Sequence, residues 1–390
     1  MTSIGVSDWT KGQLETEIIP DQELKPLNVQ PGGNPLLISN HPEKFSGNGW
    51  LMQNAGKADK NGRKGSKYPL SGTFNIYLFH VNGTDRTKYL HLLITNPNNQ
   101  PITIDYKGSL YASKTKGGVF KKGKIGGQSY KVALDWLRKD FNYKGKGVAL
   151  QPQKGGFQLL AIPLKPGEMV DGRFEIKSTG GAYVYTVVND SKDSNQAIND
   201  TQYKPSAEGE IIPTGKERYG RYAGVCGSSI WKGVTEVEIP NENSHIGLCL
   251  NTSNKLYADQ GMGQVLQEQT VAYDMRLSDS TDRTYANYGF EYKVTLKLRN
   301  SSSEARKVKI SFGHLTTESK IPKGERKPSQ TYNGPILVNG KEKPVFTKPE
   351  EPKQQLDVLN IAPNSEQNFT LNFFVPGLIS IGHQLILESI

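Results

Sequence analysis

Cysteine is nearly missing from this 390-residue chain, which has Cys226 and Cys249 and no other. Neither stands in a Cys-x-x-Cys pair or near two histidines, so a zinc site is not expected. Both lie in apolar, strand-like surroundings (Ala-Gly-Val-Cys and Ile-Gly-Leu-Cys-Leu). They read either as buried free thiols or as a disulfide between neighbouring strands, which would imply an oxidising compartment. Long apolar runs are missing too: none approaches the ~20 residues a helix needs to cross a bilayer, so no membrane span is expected. Residues 1–12 show no charged stretch followed by an apolar one, so no export signal is visible. The six histidines are scattered without metal-ligand spacing, and neither a metal nor a cofactor is expected.

Acidic residues are scarce in one region. Between Trp50 and Leu160 there are 19 Lys or Arg against five Asp and no Glu, although the whole chain is only +10. The rest is therefore net acidic, and the basic region is expected to meet an anionic partner.

What the chain does have is alternation and turns. Its 41 Gly and 22 Pro are spread throughout, as in proteins built from many short strands. Only 35% of residues are hydrophobic, yet alternating strands bury every second residue, so a core is feasible. Leu90, Leu92 and Ile94 alternate ahead of Asn96-Pro97-Asn98-Asn99, and a second alternating run starts at Ile102; this predicts a hairpin. A similar pattern recurs at residues 292–312, with Asn300 opening the turn. Leu160-Ala-Ile-Pro-Leu-Lys-Pro166-Gly-Glu is likewise echoed by Leu359-Asn-Ile-Ala-Pro363-Asn-Ser-Glu. The expected fold is all-β: two β-sandwich-like modules in tandem with one short helix in the first. Residues 1–30 read as an extended lead-in, 31–188 as the basic module, 189–215 as a polar linker and 216–390 as the second module. The helix is expected at residues 129–141, capped by Ser129, with Tyr130, Ala133, Leu134, Leu137 and Phe141 on one face.

Four stretches occur in an order that resembles a known family. They are Lys25-Pro26-Leu27; Asn96-Pro97 with Gln100-Pro101-Ile102-Thr103; Gly220-Arg221-Tyr222-Ala223-Gly224-Val225 followed by Trp231; and Ala286-Asn287-Tyr288-Gly289. The family is an uncharacterised cyanobacterial one, a domain of unknown function with the serial thirty-three seventy. The resemblance implies an exported protein of the periplasm, cell surface or extracellular space, and brings no catalytic residues.

Chemical motifs mostly fail on inspection. Gly118-Val-Phe-Lys-Lys-Gly123-Lys124-Ile125 has Ile where a phosphate-binding loop needs Ser or Thr. Asp59-Lys-Asn-Gly-Arg-Lys is a poor calcium loop, with its Gly misplaced and Leu70 where a bidentate Glu belongs. The best candidates are cationic loops: Arg63, Lys64, Lys67, Lys114, Lys116, Lys121, Lys122 and Lys124, with Phe120, Tyr130 and Tyr143 as stacking aromatics. The expected role is non-catalytic binding of an anionic surface polymer, a polysaccharide, with no specific nucleic-acid motif. Two alternatives are a self-assembling surface subunit, hence a homo-oligomer, and a carbohydrate-active enzyme.

Overall fold

The computed structural model describes residues 3–113, 127–152, 156–209, 222–254, 265–315, 332–348, 350–377 and 382–390. The fold is all-β, with two α-helices among the described residues, Gln128–Arg138 and Ser194–Tyr203. The chain divides into two compact units. Gly33–Ser229 and Val271–Thr284 form one; Met1–Gly32, Ile230–Thr270 and Tyr285–Ile390 form the other. The first carries 30 Lys or Arg against 18 Asp or Glu, the second 18 against 20. They are called the basic and the neutral unit below.

This grouping corrects the expected tandem. Residues 1–30 are no lead-in: Ser3–Ile4 and Val29–Gly32 pair with Ile230–Glu238, and Thr10–Lys11 pairs with Ser244–Leu250, all inside the neutral unit. The described part of the expected linker, residues 189–209, is not simple linker either. Asp193 caps the helix Ser194–Tyr203 through the Asn195 N–H at 3.0 Å, and the helix buries Ala197 as it packs on the strand Met169–Asn189. Polar composition hid a short amphipathic helix, because Ala197, Ile198 and Tyr203 are too few apolar residues to make a period visible.

The basic unit is organised by Met169–Asn189. Its first half, to Ser178, lies between Leu70–Asn82 and Ile102–Ser113; its second half, from Tyr183, lies between Lys88–Thr95 and Gly49–Gln53. The change of partners falls at Gly180-Gly181. A Cβ on Gly180 would sit 2.6 Å from Ile102 Cγ2, so any larger residue at this corner would force Ile102 to shift. The predicted hairpin around Asn96 is therefore not one. Lys88–Thr95 and Ile102–Ser113 are both strands, but they pair with different halves of Met169–Asn189 and not with each other. Alternation specifies a strand; it does not name its partner.

In the neutral unit a seven-stranded sheet faces a five-stranded one. Phe312 and His383 from one sheet meet Tyr332 and Phe373 from the other, with ring centroids 4.7 to 6.3 Å apart.

The internal echo is real, with its counterpart displaced. In the basic unit Leu70–Asn82 pairs with the first half of Met169–Asn189, and Lys88–Thr95 with Gly156–Leu164. In the neutral unit Glu291–Asn300 pairs with Ser365–Phe374, and Arg306–His314 with Lys353–Ile361. Each set passes from one pair to the other at an asparagine. Asn82 Nδ2 donates to Arg86 O and Leu164 O, while its Oδ1 accepts from the Thr84 N–H and hydroxyl. Asn300 repeats this with Glu304 O, Ile361 O and Ser302. Asn300 thus matches Asn82 in topology, although Asn96 makes a similar corner with Gln100 O, Leu150 O and the Asn98 N–H.

The helix Gln128–Arg138 starts one residue before its expected cap. Gly127 is the N-cap, and Ser129 is buried inside the first turn. Tyr130, Val132, Ala133, Trp136 and Leu137 face inward, and the Arg173 guanidinium lies 4.3 Å from the Trp136 ring centre.

Candidate anion-binding surface

Residues 55–67 fold back on themselves through the bridges Ala55–Lys67 and Ala58–Lys64. The tip is closed by Asp59. Its Oδ1 accepts the N–H groups of Asn61 (2.8 Å) and Arg63 (2.9 Å), and its Oδ2 accepts the Ser278 hydroxyl (2.8 Å) and faces Arg63 Nε at 3.5 Å. Gly62, at φ 76°, takes the left-handed position that the turn requires and donates its N–H to Asp59 O. Burial pushes the Asp59 carboxyl up, but the hydrogen bonds from Arg63, Ser278 and Asn61 and the nearby guanidinium outweigh it and hold the group below its ordinary value. This makes Asp59 a staple for the turn.

Under the tip lies a cavity of about 30 Å³ lined by Lys57, Asp59, Lys60, Arg63, His41 and Asp279, with Trp50 and Leu51 as its apolar wall. His41 is buried, and its Nε2 stands 2.8 Å from Asp279 Oδ2. Arg63, Lys64 and Lys67 are thus brought together on one exposed hairpin with Lys57 and Lys60. Lys114, Lys116, Phe120, Lys121, Lys122 and Lys124, and the near miss at 118–125, lie outside the described residues. Tyr143 is no stacking platform. Its ring meets Phe174 edge-on at 5.9 Å, it packs on the core, and burial pushes its phenol above the ordinary value. Tyr130 is buried in the helix.

His41, Ser278 and Asp279 were not legible as site residues. Asp59 among lysines, with Gly three positions on, was the readable signal of an Asx-type turn.

The other reactive side chains belong to the interior. Cys226 and Cys249 are both buried free thiols. The Cys226 thiol donates to Ser228 O, and burial pushes both thiols up to about 12. Ser39 donates to His80 Nε2 at 2.8 Å, and His80 Nδ1 donates to Pro42 O, but all of Ser39 and His80 is buried away from solvent. His91 Nε2 meets Asn189 Oδ1 and Ser191 O. Asn287 and Gly224, from the stretches that carry the family resemblance, have structural roles as well. Asn287 donates to Asn251 Oδ1, Gln269 O and Tyr292 Oη in a buried network. A Cβ on Gly224 would come within 2.6 Å of Met275 O on the neighbouring strand.

A family described as "Protein of unknown function (DUF3370)" matches residues 22–128 and 191–380. No curated protein matches the chain. Among solved structures, Lac15 from a marine microbial metagenome is 10% identical over 90% of this chain and 61% of its own, with a TM-score of 0.13. The CUB1-EGF-CUB2 domain of human MASP-1/3 is 9% identical over 83% and 95%, with a TM-score of 0.15. Fet3p, a multicopper oxidase that functions in iron import, is 10% identical over 78% and 51%, with a TM-score of 0.10. The chain spans 61% of the length of Lac15, and at such TM-scores none of the three bears on this protein's fold or function.

Proposed function

The chain belongs to the DUF3370 family of proteins of unknown function, and on that premise, which supplies no activity, we propose that it is a non-catalytic protein that binds an anionic polysaccharide through its basic unit, at the cell envelope or outside the cell. One contrast carries the reading. In the neutral unit several cations are paired in place: Lys293 with Glu291, Lys297 with Glu236, Arg299 with Glu238, and Lys309 and Lys353 with Glu388. In the basic unit Lys57, Lys60, Lys64 and Lys67 share one hairpin, and none forms an ion pair with a carboxylate among the described residues. Uncompensated like charges on one hairpin repel one another, a cost that an anionic polymer would relieve.

A glycosidase needs one carboxyl held above its ordinary value to act as an acid. Asp59 is shifted the other way, and Asp279 is engaged by His41. That favours binding over catalysis at this surface.

The test is retention of the purified protein on immobilised acidic polysaccharide beside a neutral glucan, across a salt gradient. Retention on the acidic matrix alone, with log affinity falling linearly in log salt, is the expected result. Equal retention on both, or on neither, overturns the proposal.

A further inference from the structure

We propose that the cavity beneath the Asp59 turn is a seat for a single carboxylate group, that of one uronic-acid-type residue of the polymer; this rests on the polymer-binding reading above. The charges around the cavity favour a monoanion. Lys57, Lys60 and Arg63 contribute three cations, and Asp59 and Asp279 contribute two carboxylates, which leaves one cation in excess before the His41–Asp279 contact is counted. A dianionic phosphate would overshoot that balance.

Neither protein carboxylate is left to pair with the lysines. Asp59 is taken up by Asn61, Arg63 and Ser278, and Asp279 holds His41. Lys57 and Lys60 thus line the cavity with no acidic partner among the described residues. Size points the same way. A volume of about 30 Å³ holds one or two water-sized groups, enough for carboxylate oxygens and too little for a sugar ring. The wall made by Trp50 and Leu51, each 1% exposed, lowers the local dielectric and strengthens each charge pair relative to open solvent. Lysine, a mobile point charge, suits a carboxylate that arrives on a flexible polymer better than a rigid fork would.

The experiment titrates the full chain with galacturonate trimer, the neutral trimer maltotriose and inorganic sulfate by calorimetry, alongside polymer retention. The paired variant is Lys57→Gln/Lys60→Gln. The control is Lys144→Gln/Lys146→Gln on the strand Tyr143–Leu150, which removes the same charge elsewhere in the unit. Lys60→Gln alone changes only an exposed side chain and guards against misfolding of the pair. Saturable binding of the acidic trimer is expected, with none of maltotriose and weaker binding of sulfate. The paired variant should lose about ten-fold or more in affinity, Lys60→Gln part of that, and the control little. No saturable binding, equal loss in variant and control, or sulfate binding as tight as the trimer overturns the seat. If polymer retention persists without saturable trimer binding, the seat falls and the polymer reading stands. If trimer binding persists without retention, the polymer reading falls and the seat remains as a small-acid site.

Discussion

Ser278 donates its hydroxyl to Asp59 Oδ2 at 2.8 Å from 219 residues further along the chain. A distant segment thereby holds the one acidic residue that shapes the tip of the basic hairpin. Replacing Asp59 with Ala removes the acceptor of the Asn61 and Arg63 N–H groups as well. We expect Asp59→Ala to destabilise the protein by about 1–3 kcal/mol and Ser278→Ala by about 1 kcal/mol. Urea unfolding measures both, and an unmoved midpoint for Asp59→Ala would contradict the staple.

The asparagine corners make a second expectation. Asn82 and Asn300 are almost wholly buried, and each satisfies backbone carbonyls at both ends of a strand crossing. Asn→Asp keeps the shape but turns the donor into an acceptor facing two carbonyls. It should cost about 2–4 kcal/mol at either site, more than an exposed Asn→Asp change such as Asn360→Asp. Chemical denaturation of the three variants decides it; equal midpoints would mean that the corners are not structural.

Buried histidines set an acid limit. Desolvation lowers His80, in the basic unit, and His314, in the neutral unit, to about 4. Their unfolded counterparts take up protons near pH 6.5, before the folded forms do. The stability they contribute is thus fully present above about pH 6.5, declines as pH falls, and is lost on passing through about 4. Each contributes on the order of 3 kcal/mol across that window. Urea midpoints between pH 7 and pH 4 should fall, and His80→Gln should flatten the slope; a profile unchanged by His80→Gln would count against this origin.

An aromatic ladder crosses three neighbouring strands of the neutral unit. Trp231 is in register with Tyr292, and Tyr292 with Phe373, and the Tyr292 and Phe373 rings stack at 4.8 Å. Phe373 is fully buried and also meets Phe312 from the facing sheet. Phe373→Ala should therefore cost about 3–5 kcal/mol, against under about 1.5 kcal/mol for Phe373→Leu with repacking. Thermal unfolding of the pair tests it.

Some of this was legible in single residues. Leu90, Leu92 and Ile94 read as a strand because a pleat repeats every two residues, and all three are buried. The echoed Pro166-Gly and Pro363-Asn sit alike in the two stretches, and Gly167 and Asn364 take the positive φ of a turn. The helix face was legible at Tyr130, Ala133 and Leu137; its start was not, because Gly127 caps it without a side chain to announce it. Arg63, Lys64 and Lys67 stood out by charge. His41, Ser278 and Asp279 did not, because His41 meets Asp279 across 238 residues. By itself, then, the sequence determined the all-β class, several of its strands and turns, and the basic region, since period, turn dihedrals and charge are local properties of the residues that carry them. Only the tertiary structure decided that Lys88–Thr95 and Ile102–Ser113 take different partners, that residues 1–32 join 230–270, and that Asp279 reaches His41. Those pairings arise from the joint burial of apolar surface by distant segments, and a segment's own pattern does not encode which surface will cover it.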